Sequence, residues 1–142
     1  MIKENQKFFN AILVLLDAAI CFGCMLLAFT LHFSNYTQSD YIGLEYYIRL
    51  MVAIIPAYFL LYNYFELYQS FRYRSLVSEI TQIVKANILG VLFVFVLLFM
   101  LKEVHVSRMV ITLFAIFNTI ITSIARIFIR KFLRHLRRKG YN

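Results

Sequence analysis

Four predominantly apolar runs, at about residues 10–33, 48–65, 84–101 and 109–128, leave this chain little option but to cross a membrane. At about 1.5 Å per helical residue, the shortest reaches about 27 Å, close to the hydrocarbon thickness of a bilayer. Inside lipid a backbone must satisfy its own hydrogen bonds, in helices or in a closed barrel, and continuous apolar runs lack the period-two alternation of barrel strands. Hydrophobic residues make up 62% of the 142, and charged ones only 15%. The expectation is one all-α transmembrane domain over 1–142, a polytopic four-helix bundle. The first run is longer than a signal-peptide core and no small-x-small cleavage site follows it, so it counts as a helix.

The charges set an orientation. Of fifteen Lys and Arg, seven lie between Arg126 and Lys139, directly after the last run. Lys3 and Lys7 precede the first run, and Arg72, Arg74 and Lys85 lie between the second and third. The two remaining connections hold Arg49, Lys102 and Arg108, offset by Asp40, Glu45 and Glu103. By the positive-inside rule both termini are cytoplasmic. A basic cluster can signify nucleic acid, but after a spanning helix it points to anionic headgroups, and no nucleic-acid partner is expected. Arg130, Arg134, Arg137 and Arg138 are the headgroup candidates on a basic extension over 126–140, although a plain positive-inside stop signal also accounts for them.

Between the second and third runs, Leu76, Val77, Ile80, Ile83 and Val84 recur at helical spacing among polar residues, and Ser75 can cap their start. This predicts a cytoplasmic interfacial helix over about 75–85 that continues into the third span. Tyr62, Tyr64, Tyr68 and Tyr73 are expected in the aromatic belt, and Pro56 is expected to kink the second helix.

Asp17 is the one acid deep within a run, where a carboxylate costs on the order of 3 kcal/mol and usually faces the bundle interior. The fourth run offers partners: Thr112, Ala115, Thr119, Thr122 and Arg126 recur at three- and four-residue steps, a small polar stripe ending in a guanidinium. Two readings stand. Asp17 and Arg126 meet, directly or through water, or Asp17 is protonated or bonds a Thr or Asn118 while Arg126 snorkels to the headgroups. Ala19 with Gly23, Ala86 with Gly90, and Thr119 with Ser123 place small residues one turn apart. They mark close helix approaches within the bundle or between subunits of a homo-oligomer.

Catalytic signals are missing. Cys21 and Cys24 form a C-x-x-C inside the first run with no further ligand near, which favours packing over metal. His32, His105 and His135 are not placed to share a metal or activate a nucleophile. The sequence carries no glycine-rich phosphate loop and no acid–base carboxylate pair, so no catalytic, cofactor-binding or metal residue is assigned.

One set of residues carries a resemblance: Phe65-Glu-Leu-Tyr68, Arg72, Glu79, Ile83, Lys85 and Ala86, then Ser107-Arg108, then Arg126, Arg130, Leu133, Arg134, Arg137 and Gly140-Tyr-Asn142, with Asp17 in the first helix. In these the chain resembles the N-terminal membrane region of the bacterial polyprenyl glycosylphosphotransferases, the initiating sugar transferases of capsule and exopolysaccharide synthesis. The resemblance implies four helices in the inner membrane ahead of a cytoplasmic region. A C-terminal domain then transfers a sugar 1-phosphate from a UDP-sugar to undecaprenyl phosphate. That family's catalytic acids and its magnesium site belong to the C-terminal domain, which is expected outside this chain. The implied task here is anchoring, orientation and self-association. The similar membrane region of nucleotide-sugar dehydratases, a small transporter using Asp17 and a stand-alone accessory protein of polysaccharide export are the alternatives.

Overall fold

A computed structural model describes residues 2–34, 43–68, 75–103 and 105–138. These form four helices, α1 (Ile2–Phe33), α2 (Leu44–Tyr64), α3 (Leu76–Met100) and α4 (Arg108–Arg138), with no strand among the described residues. Each helix contains a segment long and apolar enough to cross a membrane, namely Lys7–Phe33, Leu44–Tyr64, Leu76–Met100 and Arg108–His135. The chain is an all-α membrane protein. Helices α1 and α3 each pack against both α2 and α4, which closes a four-membered bundle.

In lipid the apolar effect does not drive helices together, so packing and interhelical polar contacts must. The outward faces accordingly carry bare apolar side chains, among them Leu15, Val52, Phe99 and Phe128. Close packing is most evident at Gly90 of α3. A Cβ there would lie 2.6 Å from the ring of Tyr58 on α2, so glycine lets the tyrosine lie against the α3 backbone. Of the small-residue pairs, Ala86 with Gly90 therefore serves α2–α3 packing inside the bundle, whereas Ala19 is exposed and Gly23 meets nothing within 4 Å.

Ser75 caps α3 as its position predicts, its Oγ accepting from the Ser78 amide at 3.2 Å, and the helix runs unbroken through Met100. Pro56 lies inside α2, which continues through it as a single helix. Two helices end alike. At the close of α2 the Leu67 amide donates to the Tyr62 carbonyl and the Glu66 amide to that of Asn63, with Glu66 at φ 56°. At the close of α3, Glu103 donates to Leu98 and Lys102 to Phe99, with Lys102 at φ 53°. Both are Schellman turns, in which a left-handed residue reverses the chain and satisfies the last carbonyls.

The end of the bundle away from the basic extension is tied by Ser107. Its amide donates to the Tyr47 hydroxyl at 3.1 Å and its hydroxyl meets His32 Nε2 at 3.0 Å, joining the starts of α2 and α4 to the end of α1. Phe29, Phe33 and Tyr47 pack edge to face beside it.

Three expectations need correction. Tyr62 and Tyr68 are buried inside the bundle, not in an aromatic belt, while Tyr64 is exposed and Tyr73 lies outside the described residues. The inward stripe of α4 is not the one beginning at Thr112, which is exposed and bonds the Arg108 carbonyl. Thr119 and Ser123 are half-buried and bond their own helix. The buried stripe is Phe114, Asn118, Thr122, Arg126 and Arg130, because the four-residue register carrying the largest polar groups turns inward. Arg130 is thus no headgroup ligand: it is 6% exposed and faces Glu79 of α3.

Candidate functional site: a charge cluster buried between the helices

The inward stripe of α4 collects partners from every other helix. Near its middle, Asn118 Nδ2 donates to Asn87 Oδ1 of α3 at 2.7 Å and to the Tyr62 hydroxyl of α2 at 3.3 Å. Its Oδ1 accepts from the Cys21 thiol of α1 at 3.4 Å. Asn87 also donates to the Ile83 carbonyl at 3.1 Å. One asparagine therefore ties three neighbours, and Cys21 is a packed, hydrogen-bonded thiol. Both cysteines are free and buried, and no group of three His, Cys, Asp or Glu that could hold a metal occurs among the described residues.

Two turns further along α4, Arg126 Nη2 donates to Asp17 Oδ2 at 2.6 Å, with both residues at most 4% exposed. The structure thus brings Asp17 and Arg126 together directly and places Thr122, 1% exposed, in the same cluster. An ion pair at such depth offsets much of the insertion cost of each charge, because neither is left facing hydrocarbon alone. One turn on, Arg130 Nη1 lies 3.8 Å from Glu79 Oε2, so α4 opposes one acid on α1 and another on α3 with successive guanidinium groups.

Tyr68 closes the cluster from the side. The Schellman turn after α2 sends the chain back beneath the bundle, so that Leu67 and Tyr68 both return to the core. The Tyr68 ring lies 5.6 Å from the Arg126 guanidinium carbon, and its phenol lies close enough to the Asp17 carboxylate to feel its charge. Burial, and then the Asp17 charge, push the Tyr68 phenol above its ordinary value, so it remains a proton donor. Beside Asp17, a cavity of about 30 Å³ is bordered by Tyr58, Tyr62 and Tyr68, room for about one water.

The cluster is balanced, two acids against two guanidinium groups, and it joins helices α1, α3 and α4. The basic side chains beyond it differ. Lys131, Arg134, His135 and Arg138 are exposed on the last turns of α4, while the side chain of Arg137 and the segments holding Arg72, Arg74 and Gly140-Tyr-Asn142 lie outside the described residues.

Residues 63–142 match the model of a family described as a CoA-binding domain. The chain belongs to that family. The CoA-binding-domain family is found in sugar transferase-related proteins, and its match here runs from the end of α2 through the turn carrying Tyr68, α3 and α4. It therefore covers every member of the cluster except Asp17, Cys21, Tyr58 and Tyr62. No curated protein and no solved structure matches the chain.

Sequence reasoning singled out Asp17, Arg126, Thr119 and Thr122 and missed Glu79, Asn87, Tyr68 and Arg130 as interior groups. A signal for two of them existed. Arg130 follows Arg126 by one turn, and Glu79 interrupts the apolar face of Leu76, Ile80 and Ile83. The inward turn of Tyr68 depends on the left-handed Glu66, which no local residue preference announces.

Proposed function

We propose that this chain is the membrane-anchoring and orienting domain of an enzyme of the kind that transfers a sugar 1-phosphate from a UDP-sugar to undecaprenyl phosphate in exopolysaccharide or capsule biosynthesis. In this reading it lies in a bacterial inner membrane with both termini cytoplasmic, and the chemistry resides in a region beyond these residues. Magnesium, where used, belongs to that region. Membership of a family found in sugar transferase-related proteins supports the enzyme class. The residues behind the resemblance support it further: Tyr68, Glu79, Ile83, Ala86, Arg126 and Arg130 are all buried inside the bundle.

The observation that carries the reading is the geometry of α4. Its 31 residues extend about 46 Å, well beyond a hydrocarbon core of about 30 Å, in one unbroken helix. Arg126 and Arg130 clamp it to α1 and α3 just before the exposed basic turns, so whatever follows is held at a fixed angle beside the anionic leaflet, where a lipid-linked substrate also lies. Exposed Arg134 and Arg138 serve as the headgroup contacts. The family's printed name points to CoA, but the described matched residues are taken up by two long apolar helices and their packing, so the reading does not extend to that ligand.

A proton-coupled transporter would need its carboxylate open to substrate. Asp17 is 4% exposed and engaged by Arg126, which supports the anchor over the transporter. The test is an in-frame deletion of codons 1–142 in the host gene. Membranes of that strain should lose transfer of labelled sugar 1-phosphate to undecaprenyl phosphate, and an unchanged yield of lipid-linked sugar would overturn the proposal.

A further inference from the structure

At the end of the bundle opposite the basic extension, the last turns of α3 and the start of α4 line a half-open pocket of about 630 Å³. Its wall has two chemistries. Phe95, Leu98 and Phe99 line the part within the span, and Lys102, Glu103 and Arg108, with the buried Val106, line the part beyond it. Phe99 is 85% exposed, so the apolar part opens sideways into the bilayer. The span of α3 ends at Met100 and that of α4 begins at Arg108, which puts both cations at headgroup height. The left-handed backbone at Lys102 reverses the chain there and brings the lysine to the rim. Tyr46 of α2 lies near Glu103, and Lys102 and Arg108 on the rim are both exposed, so the rim carries two cations against one acid.

We infer that this pocket is a binding site for one anionic glycerophospholipid of the surrounding leaflet. Lys102 and Arg108 contact its headgroup phosphate, and one acyl chain lies along Phe95, Leu98 and Phe99. The volume lies within the range of about 300–1,000 Å³ usual for small-molecule sites, and the arrangement of cations above an apolar wall matches an amphiphile, not a free anion. The site lies at the far end of the molecule from Arg134 and Arg138 and does not depend on the function proposed above.

The test is native mass spectrometry of the full chain released from nanodiscs of phosphatidylglycerol or phosphatidylcholine. One phosphatidylglycerol should be retained per chain in preference to phosphatidylcholine. Lys102→Gln with Arg108→Gln should weaken its retention about tenfold or more, at about 1 kcal/mol per cation near the surface. Glu103→Gln, which removes the opposing charge, should strengthen it; this arm decides the matter even where the double variant folds poorly. Arg134→Gln with Arg138→Gln should leave it unchanged. Equal retention of phosphatidylcholine, displacement by soluble glycerol phosphate, or loss only in the Arg134/Arg138 variant would overturn the site.

Discussion

Asp17 and Arg126, 109 positions apart in sequence, meet through a 2.6 Å hydrogen bond between α1 and α4, and neither is more than 4% exposed. The bond closes the bundle, since it joins the first helix to the last at the level where α4 leaves for its basic end. Removing one partner leaves the other charged and buried, which costs more than the pair contributes. Asp17→Asn or Arg126→Gln alone should destabilise the domain by about 3–5 kcal/mol. The double variant should be less unstable than the sum of the two, giving a coupling energy of at least about 1 kcal/mol. Unfolding of the four proteins in mixed micelles measures it, and additive effects would mean the two side chains act independently.

Gly90 and Tyr58 make a second joint. A methyl group at 90 would lie 2.6 Å from Tyr58 Cζ, and that ring is held by Tyr62 and Phe114 at centroid distances of 5.9 and 5.8 Å. With Tyr62 and Phe114 against the ring, Gly90→Ala should cost about 1–3 kcal/mol through overpacking. Tyr58→Leu added to it should recover part of the loss, and a lower thermal midpoint for the combination than for Gly90→Ala alone would contradict the contact.

The cluster was partly legible in the sequence. A carboxylate in one apolar run and a guanidinium in another announce themselves, because uncompensated charges are too costly in lipid to be accidental. The four spans were equally plain from length and hydropathy. The inward face of α4 was not. Threonines suggested a stripe through Thr112 and Thr119, yet a hydroxyl can bond its own helix at i−4 and so face lipid at little cost, as both do. Asn118 and Arg130 carry more polar atoms than one carbonyl of their own helix can satisfy, and their four-residue spacing with Arg126 marks the buried face. Tyr68 was misassigned because tyrosine suits both an interface and a core, and only the turn at Glu66 decides between them.

That turn makes its own prediction. Glu66 holds φ 56°, a conformation that costs a side-chain-bearing residue roughly 1 kcal/mol and glycine nothing. Glu66→Gly and Glu66→Val remove the same side chain, so stability should rank the first above the second in thermal unfolding of the purified protein. An inverted order would mean the turn does not form as described.

Tyr68 should resist alkali. Its pKa in the fold lies above the unfolded value because burial, and then the Asp17 charge, disfavour the phenolate. Its contribution to stability is therefore complete below the unfolded value, near pH 10, and is lost as pH rises beyond it. In an ultraviolet titration the difference between the natural chain and Tyr68→Phe should show no tyrosinate at the pH where a free tyrosine ionises, about pH 10. A full residue's worth of signal appearing at about pH 10 would place Tyr68 in water.

The account rests most heavily on both ends of the bundle emerging on one side, with the α3–α4 turn on the other. Single cysteines at Lys7, His105 and Arg138, against the buried Cys21 and Cys24 as background, test this with a membrane-impermeant maleimide. His105→Cys should label in intact spheroplasts, and Lys7→Cys and Arg138→Cys only after the membrane is opened. Labelling of Lys7→Cys and Arg138→Cys from opposite faces would contradict four crossings and, with them, the anchoring role.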